Sequence, residues 1–198
     1  MGGEAKGRRI RVPGRKVRPT KGVVKKALFE LLGEDIRGAK VLDLFAGAGG
    51  VGLEALSRGA GEVWFVDKDR RALRVIRENV TLLGMEGRAV VRGEDVLGFL
   101  REAARARFDV VFVDPPYGKD VLEDVLRALG EGGWVEEGGV VVSELPRKKQ
   151  VPERIGPWKA VDGRAYGDTK LIFWRRDEDR TLSGDVRPHH LRPSRHSP

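Results

Sequence analysis

The sequence predicts an α/β fold in which a mostly parallel sheet carries helices on both faces. From Lys40 onward, short apolar runs alternate with amphipathic runs, which is the pattern of consecutive strand–helix units. Some apolar runs are continuous, as in the "VVFV" run that begins at Val110, and continuous runs are typical of strands buried on both faces. The chain length of 198 residues suits one substantial domain with terminal extensions.

The predicted elements follow from hydrophobic periodicity. Five apolar runs are predicted as strands: 40–45, 62–67, 88–93, 108–114 and 139–144. Four amphipathic runs between them are predicted as helices: 52–59, 70–83, 96–106 and 119–130. In the second of these helices Leu73, Ile76, Val80 and Leu83 recur at helical spacing. Ligands of such sheets bind beyond the carboxyl ends of the strands, so we expect the functional site there.

Three further segments lie outside this alternation. A helix over 20–33 is predicted to begin at Thr20 and to end at Gly33. The runs 158–163 and 169–176 are predicted to form a C-terminal antiparallel hairpin, which completes a seven-stranded sheet. The last segment, 177–198, has little apolar content and is predicted to be a flexible tail. It holds all three histidines, and we expect no metal site from them.

Composition narrows the class of protein. There is no cysteine, no apolar run near the ~20 residues of a membrane helix, and no secretory signal, so we expect a cytoplasmic globular protein. The charge is uneven: residues 1–26 carry ten basic residues and one acid, and residues 147–198 carry thirteen and seven. The intervening residues carry 15 basic and 22 acidic side chains. Two basic arms on an acidic core indicate either solvated tails or a surface for a polyanion.

A glycine-rich loop follows the first predicted strand. Gly47, Gly49 and Gly52 stand in GxGxxG spacing, and Asp67 ends the second strand 20 residues after Gly47. Glycines permit a tight turn and let the backbone approach a ligand at the next helix N-terminus. A carboxylate at Asp67 can accept hydrogen bonds from both hydroxyls of a ribose. The pattern predicts a cofactor that contains a nucleoside.

The loop alone fits either a dinucleotide or S-adenosylmethionine, and two acids favour the latter. Asp43 near the first strand end would place a negative group close to a cationic sulfonium, whereas it would oppose the pyrophosphate of NAD. Asp95 follows the third strand, where it could accept from an adenine amino group or cap the next helix. We therefore predict S-adenosylmethionine as the cofactor.

The segment Asp114-Pro115-Pro116-Tyr117 directly follows the buried fourth strand. An exocyclic amine on a nucleobase is a poor nucleophile because its lone pair is delocalised into the ring. The Asp114 carboxylate and the Pro115 carbonyl can hold its N–H groups and aim the lone pair at a methyl group, while the prolines fix the backbone. Tyr117 offers a ring on which an extruded base can stack. The pattern predicts methyl transfer to an amino group, although Pro-Pro also simply ends strands.

Six segments together carry a family signature: "GEAKGRRI", "RPT" before "VKKALFELL", "LDLFAGAGGVGLEALSRGA", "VFVDPPYG", "GGWVEEGGVVVSE" and "YGDTKL". With them the chain resembles class I S-adenosylmethionine-dependent methyltransferases, and within these the bacterial small-subunit rRNA guanine-N2 methyltransferases (RsmD-like). The resemblance runs from about Gly3 to Trp174. It implies a Rossmann-like class I methyltransferase fold and methyl transfer to the N2 amino group of a specific guanine in 16S rRNA.

The motif residues are assigned roles on this basis. The predicted catalytic residues are Asp114, Pro115, Pro116 and Tyr117. The predicted cofactor-binding residues are Asp43, Phe45, Ala46, Gly47, Gly49, Asp67, Lys68, Asp95 and Val96. No metal ligand is predicted.

The basic arm gains a role from the implied substrate. The predicted RNA-binding residues are Arg8, Arg9, Arg11, Arg15, Lys16, Arg18 and Thr20, which could hold phosphates without selecting sequence. We divide the chain into 1–33 (basic arm and helix), 34–176 (methyltransferase domain) and 177–198 (tail). The expected partner is small-subunit rRNA, free or within an assembled or assembling 30S subunit, with no membrane partner.

Four alternatives remain open at this point. Methylation of adenine N6 in DNA or RNA needs the same amine-holding geometry, and only the family resemblance favours guanine. Methylation of a protein glutamine would leave the basic arm without a use. An NAD-dependent dehydrogenase would explain the glycine loop and Asp67 but not Asp114 and the residues after it. A non-catalytic RNA-binding module would not need Asp114 at all.

Overall fold

The computed structural model describes residues 1–11, 19–116 and 121–177, with side chains from Gly22 onward in the second range. The helices are α1 (Pro19–Leu32), α2 (Gly50–Ser57), α3 (Arg70–Leu83), α4 (Val96–Arg101) and α5 (Leu122–Gly132). The strands are β1 (Lys40–Leu44), β2 (Glu62–Asp67), β3 (Ala89–Gly93), β4 (Phe108–Val113), β5 (Val135–Pro146), β6 (Arg154–Ile155), β7 (Trp158–Tyr166) and β8 (Thr169–Arg176). Short 3-10 turns occupy Gly3–Ala5, Gly33–Ile36 and Glu86–Arg88.

The strands form one sheet in the order β3-β2-β1-β4-β5-β8-β7-β6. The first five strands of this order are parallel, and β8, β7 and β6 continue the sheet antiparallel. The chain order reverses between β1 and β4, and such a switch point opens a crevice at the carboxyl ends of the strands. The predicted α/β architecture with a C-terminal antiparallel hairpin is confirmed.

Alternation of side chains along the strands divides the core into two layers. Val41 of β1 and Val110 of β4 pack on one face of the sheet with buried residues of α1, α2 and α3. Leu42 and Val111, the next residues along the same strands, pack on the other face with α4 and α5. Each fully buried aliphatic side chain contributes roughly 1.5–3 kcal/mol of hydrophobic stabilisation. Helices therefore cover both faces, as the continuous apolar runs predict.

Several predicted boundaries differ from the structure. The helix predicted over 96–106 ends at Arg101, because Phe99 and Leu100 are its last buried side chains and most of the residues up to 107 are exposed. The strand predicted over 139–144 spans Val135–Pro146. Its first part was not predicted because residues 136–139 are Glu-Glu-Gly-Gly, and the pairing with β4 shifts register over this part. The sheet has eight strands rather than seven, because the two-residue β6 is too short to leave a sequence pattern.

The C-terminal hairpin is attached to the core by two tryptophans. The Trp158 Nε1–H donates to the Leu126 carbonyl in α5 at 2.7 Å, and the Trp174 Nε1–H donates to the Ser143 hydroxyl in β5 at 2.9 Å. Both rings are buried, and a buried indole N–H without a partner would be costly. The hairpin is thus an integral edge of the sheet.

Two negative observations apply to the described ranges only. In them, no helix is both long enough and apolar enough to cross a lipid bilayer. The same residues also contain no cluster of three or more His, Asp or Glu side chains arranged to hold a metal ion.

Candidate functional site

The carboxyl ends of four neighbouring strands bring the predicted acids together. Gly93 at the end of β3 is level with Asp67 at the end of β2, and Leu44 of β1 pairs with both Val66 and Val113. Asp67 and Asp114 therefore lie one residue beyond the same row, on either side of β1. Two strand spacings separate them, about 10 Å along the sheet edge. The loop that follows β1 lies between these two acids.

The backbone of that loop is held in a conformation that only glycine adopts freely. Gly47 and Gly49 have positive φ values of 54° and 77°, and Phe45 has φ of 58°. A left-handed φ costs a residue with a Cβ roughly 1–2 kcal/mol, so the surrounding bonds must hold Phe45 in place. The Ala46 N–H donates to the Val66 carbonyl at 3.1 Å, and the Gly49 N–H donates to the Ala46 carbonyl at 2.8 Å. The first bond ties the loop to the end of β2, and the second closes the turn within the loop.

Asp67 connects the loop to the start of the next helix. One carboxylate oxygen accepts from the Gly47 N–H at 2.8 Å, and the other accepts from the Asp69 N–H at 2.8 Å. Asp69 in turn caps α3 by accepting from the Arg71 N–H at 2.8 Å. Asp67 is half-buried, and each of its oxygens keeps a second lone pair for a ligand hydroxyl. The structure places the Asp67 carboxylate against the glycine loop, and its contact with a ribose stays a prediction.

Gly52 places α2 directly against the sheet. A Cβ built on Gly52 would lie 2.3 Å from Cε1 of Phe65 and 3.0 Å from Oδ2 of Asp43. By contrast, a Cβ on Gly47 would meet no atom within 4 Å. The third glycine of the motif therefore serves helix–strand packing, whereas the first faces open space where a ligand can approach the backbone.

Asp43 is a buried carboxylate with an unusual titration. Only 4% of the residue is exposed, and its Oδ2 accepts from the Gly52 N–H at 3.0 Å. Burial raises the pKa of Asp43 to about 7, the Gly52 hydrogen bond opposes this rise, and the negative charges of Asp114 and Asp67 add to it. The negative charges of Asp114 and Asp67 thus act on Asp43 across the strand ends. A cation bound among them would favour the ionised form of Asp43.

Asp95 and its neighbour mark the end of the crevice at β3. Asp95 is exposed and caps α4, because its Oδ2 accepts from the Gly98 N–H at 3.2 Å. Val96, the first residue of α4, is buried in the core with α5, so the structure does not present it to the crevice as its predicted cofactor role requires. The capping alternative for Asp95 is confirmed, and adenine recognition by Asp95 stays a prediction alongside it. Lys68 is exposed just beyond Asp67.

The segment after β4 lies at the switch point of the sheet. Asp114 and Pro115 are half-buried and Pro116 is exposed, so the segment leaves the core at the crevice. Tyr117 lies outside the described residues. Asp114 directly follows Val113, which pairs with Leu44 at the end of β1, so Asp114 lies beside the start of the loop after β1, while its contact with an amine stays a prediction.

The N-terminal arm is docked on the outside of α2 and α3. The Ala5 N–H donates to the Ser57 hydroxyl at 2.9 Å, and the Gly2 N–H donates to Glu54 at 2.9 Å. Burial would raise the pKa of the Glu54 carboxyl, but the Gly2 hydrogen bond, Arg58 and Lys25 outweigh burial and lower it. Arg8, Arg9 and Arg11 are exposed on this arm. Arg15, Lys16, Arg18 and the Thr20 side chain lie outside the described residues.

Sequence reasoning missed the residue that fixes the end of the described arm. Asn79 is fully buried in α3, and its side chain accepts from the Arg11 N–H at 2.8 Å and donates to the Arg11 carbonyl at 2.9 Å. One signal was available: Asn79 follows Ile76 by three positions and so falls on the apolar stripe of an amphipathic helix. A polar residue there predicts a buried hydrogen-bond partner.

The crevice suits S-adenosylmethionine better than a dinucleotide. Its acids Asp43, Asp67 and Asp114 would favour a sulfonium cation and would oppose a pyrophosphate. The Gly47 N–H, which a dinucleotide site would present to a phosphate, is already donated to Asp67. The open side of Gly47 leaves room for a ligand beside the loop.

Comparison with known proteins identifies the family of this chain. A family model described as "Conserved hypothetical protein 95" matches residues 1–175. The Bacillus subtilis (strain 168) protein YlbH is 35% identical over 179 residues, covering 89% of this chain and 97% of YlbH. Escherichia coli (strain K12) "Ribosomal RNA small subunit methyltransferase D" is 30% identical over 178 residues, covering 89% of each chain.

A solved structure with bound ligands is also similar. The Thermus thermophilus 16S rRNA N2 G1207 methyltransferase RsmC, solved with AdoMet and guanosine, matches with a TM-score of 0.66 and 26% identity. The match covers 82% of this chain and 44% of RsmC. With a family match over nearly its whole length, and with these relatives, the chain belongs to the RsmD-like family of class I S-adenosylmethionine-dependent rRNA methyltransferases.

Proposed function

We propose that this protein transfers a methyl group from S-adenosylmethionine to the N2 amino group of a specific guanine in small-subunit (16S) rRNA. The observation that carries the proposal is the position of Asp114-Pro115-Pro116 at the sheet switch point, beside the glycine loop and Asp43. The relatives support the substrate, since one is named for small-subunit rRNA and another for guanine N2 of 16S rRNA.

In this proposal the chain holds the amine by two acceptors. The Asp114 carboxylate and the Pro115 carbonyl accept the two N–H groups of the guanine N2 amine and direct its lone pair into the crevice. Neither Pro115 nor Pro116 has a backbone N–H that could compete for these acceptors. Tyr117 is proposed to stack on the extruded base, which is worth about 1–3 kcal/mol in base placement.

The remaining residues position the cofactor and the proton. Asp67 is proposed to hold the ribose hydroxyls, Asp95 the adenine amino group, and the residues Phe45, Ala46 and Lys68 to line the cofactor cleft. When bound, the cofactor would supply an electrophilic methyl on a cationic sulfonium, whose sulfur keeps the electron pair of the broken S–methyl bond and becomes a neutral thioether. When the N2–methyl bond forms, the amine nitrogen must lose one proton, and Asp114 is the acceptor within this arrangement.

One experiment tests both the substrate and the atom. Ribosomal subunits and protein-free 16S rRNA, each lacking this modification, are incubated with labelled S-adenosylmethionine and the protein, and the digested RNA is analysed by mass spectrometry. We expect N2-methylguanosine at one nucleotide. Label found only as N6-methyladenosine would show the adenine alternative, and no label in RNA would overturn the proposal. Comparing the two substrates also tells whether the free RNA or the 30S subunit is modified.

A further inference from the structure

Helix α3 presents a row of arginines to solvent. Arg70, Arg74 and Arg77 are all exposed and are spaced by four and three residues, so they share one face of the helix. The row spans about 10 Å along the helix axis. The adjacent face of the same helix is apolar and buried against β2 and β3, with Leu73, Ile76 and Val80 in the core.

The stability of the helix does not account for this row. No acid occupies the first turn of α3, and the positive charges of Arg70 and Arg71 there interact unfavourably with the positive N-terminal end of the helix dipole. Arg70 and Arg74 are like charges four residues apart, which costs a few tenths of a kcal/mol. Within the described ranges no ion pair joins these arginines to a carboxylate, whereas some exposed arginines elsewhere, such as Arg105 with Glu102, do form one.

A groove runs beside the row and reaches the edge of the cofactor crevice. Its volume is about 440 Å³, and its lining consists of Arg70, Leu73, Arg74, Arg77, Glu78 and Gly93. Glu78, the acid in this lining, forms an ion pair with Arg11 of the N-terminal arm at 3.0 Å. Gly93 ends β3 and is level with Asp67. The groove is therefore positive, and it begins where the strands end.

The N-terminal arm extends this positive surface. The two Asn79 hydrogen bonds hold the backbone of Arg11 against α3, and the Arg8 guanidinium donates to the Leu82 carbonyl at 3.4 Å. The exposed arginines of the arm therefore stand on the same side of the sheet as the α3 row. We define the α3 arginine face as Arg70, Arg74 and Arg77.

We propose that the α3 arginine face binds the phosphate backbone of the RNA beside the target nucleotide, as a continuation of the arm. This inference rests on the proposed function, because it takes the substrate to be RNA. Guanidinium groups bind phosphate oxygens in a bidentate manner, and such contacts fix register without reading sequence. Three strand spacings separate Gly93 from Asp114, about 15 Å, so the groove lies within a few nucleotides of the proposed base clamp.

The test removes three charges from the face and an equal number elsewhere. Arg70→Gln, Arg74→Gln and Arg77→Gln are combined in one variant. The matched control combines Arg101→Gln, Arg105→Gln and Arg107→Gln, three exposed arginines at and after the end of α4, on the other face of the sheet. Binding of in-vitro-transcribed 16S rRNA is measured against salt concentration, with each protein loaded with S-adenosylhomocysteine.

For the α3 variant we expect the slope of log K against log salt concentration to become shallower by about two, and the RNA affinity to fall roughly tenfold. The control variant should stay near wild type in both quantities. The KM for RNA should rise while kcat stays close to normal, and thermal stability and cofactor affinity should not fall. Equal slopes for the α3 variant and wild type would overturn the inference, and so would an equal loss in both triple variants.

Identifying the methylated nucleoside by mass spectrometry distinguishes failure of the α3 inference from failure of the proposed function. An unchanged α3 slope in a protein that still forms N2-methylguanosine refutes only the α3 arginine face. A reduced slope in a protein that methylates adenine refutes only the proposed function. Failure of wild type to bind RNA in a salt-dependent way overturns the α3 inference directly.

Discussion

The Gly52 N–H donates a 3.0 Å hydrogen bond to the buried carboxylate of Asp43, and Gly52 is also the residue that lets α2 lie against β2. One residue thus serves both helix packing and the electrostatics of the crevice. Asp43 in turn feels the charges of Asp114 and Asp67. Gly52 and Asp43 therefore belong both to the packing of α2 on the sheet and to the proposed active site.

The titration of Asp43 should make the free protein less stable as pH rises towards neutrality. Its native pKa of about 7 lies above the ordinary value of 3.8, so between these values the native protein holds a proton that the unfolded chain releases. The free energy of unfolding should fall by up to the order of 4 kcal/mol across this window. Asp43→Asn keeps an acceptor for Gly52 and should remove that part of the pH dependence. Denaturant unfolding at several pH values checks this, and parallel curves for the two proteins would contradict it.

The same group should couple cofactor binding to pH. A sulfonium favours ionised Asp43, whereas the neutral thioether of S-adenosylhomocysteine does not. The affinity ratio of S-adenosylmethionine to S-adenosylhomocysteine should therefore rise between pH 6 and 8. Titration calorimetry in buffers of different ionisation enthalpy should also detect proton release on binding of S-adenosylmethionine. In Asp43→Asn both effects should vanish, and a ratio that varies equally with pH in the variant would exclude Asp43 as the source.

Asp67→Ala should weaken cofactor affinity more than it slows the methyl-transfer step. The change removes the acceptor of the Gly47 N–H and the proposed partner of the ribose hydroxyls. We expect the dissociation constant for S-adenosylhomocysteine to rise at least tenfold, because lost hydrogen bonds to a charged group are worth about 1.5–3 kcal/mol. Asp69→Ala, which removes only the α3 cap, is the matched control and should lower stability with little change in affinity. Equal affinity losses in both variants would indicate a general disturbance of the loop.

Asp114→Ala should strongly reduce turnover while cofactor affinity stays within a fewfold of normal. The proposed amine clamp loses its carboxylate, and the crevice loses one negative charge that acts on Asp43. Single-turnover rates with saturating RNA and cofactor report the chemical step directly. We expect a drop of roughly 10²-fold or more, the usual contribution of a proton-accepting group. Normal rates in this variant would instead favour a non-catalytic RNA-binding module.

Two glycine substitutions should separate packing from ligand approach. In Gly52→Ala the new methyl would lie 2.3 Å from the buried Phe65 ring, and we expect a loss of about 1–3 kcal/mol in stability. In Gly47→Ala the methyl meets no protein atom but points into the proposed cofactor space, and the positive φ adds about 1–2 kcal/mol of strain. Cofactor affinity should therefore fall more in Gly47→Ala. Thermal unfolding with and without S-adenosylhomocysteine measures both quantities.

The sequence by itself determined the strand–helix order, the two-layer core and the acids at the strand ends. These follow from periodicity and from motif spacing, which are local properties of the chain. Asp67 was placed from spacing alone, and the structure puts its carboxylate 2.8 Å from the Gly47 nitrogen. The end of α4 and both ends of β5 were predicted wrongly, and the two-residue β6 was not predicted, because burial and pairing with distant strands decide where those elements end.

Only the tertiary structure decided how the distant parts of the site combine. It raised the pKa of Asp43 by burying it beside two other acids that are 24 and 71 residues away in the chain. It also brought Arg11 onto Asn79 and Glu78 and so joined the arm to the arginines of α3. Charge interactions and desolvation depend on distance in space, which a linear pattern does not contain, whereas hydrophobic period and turn chemistry act between neighbours in the chain.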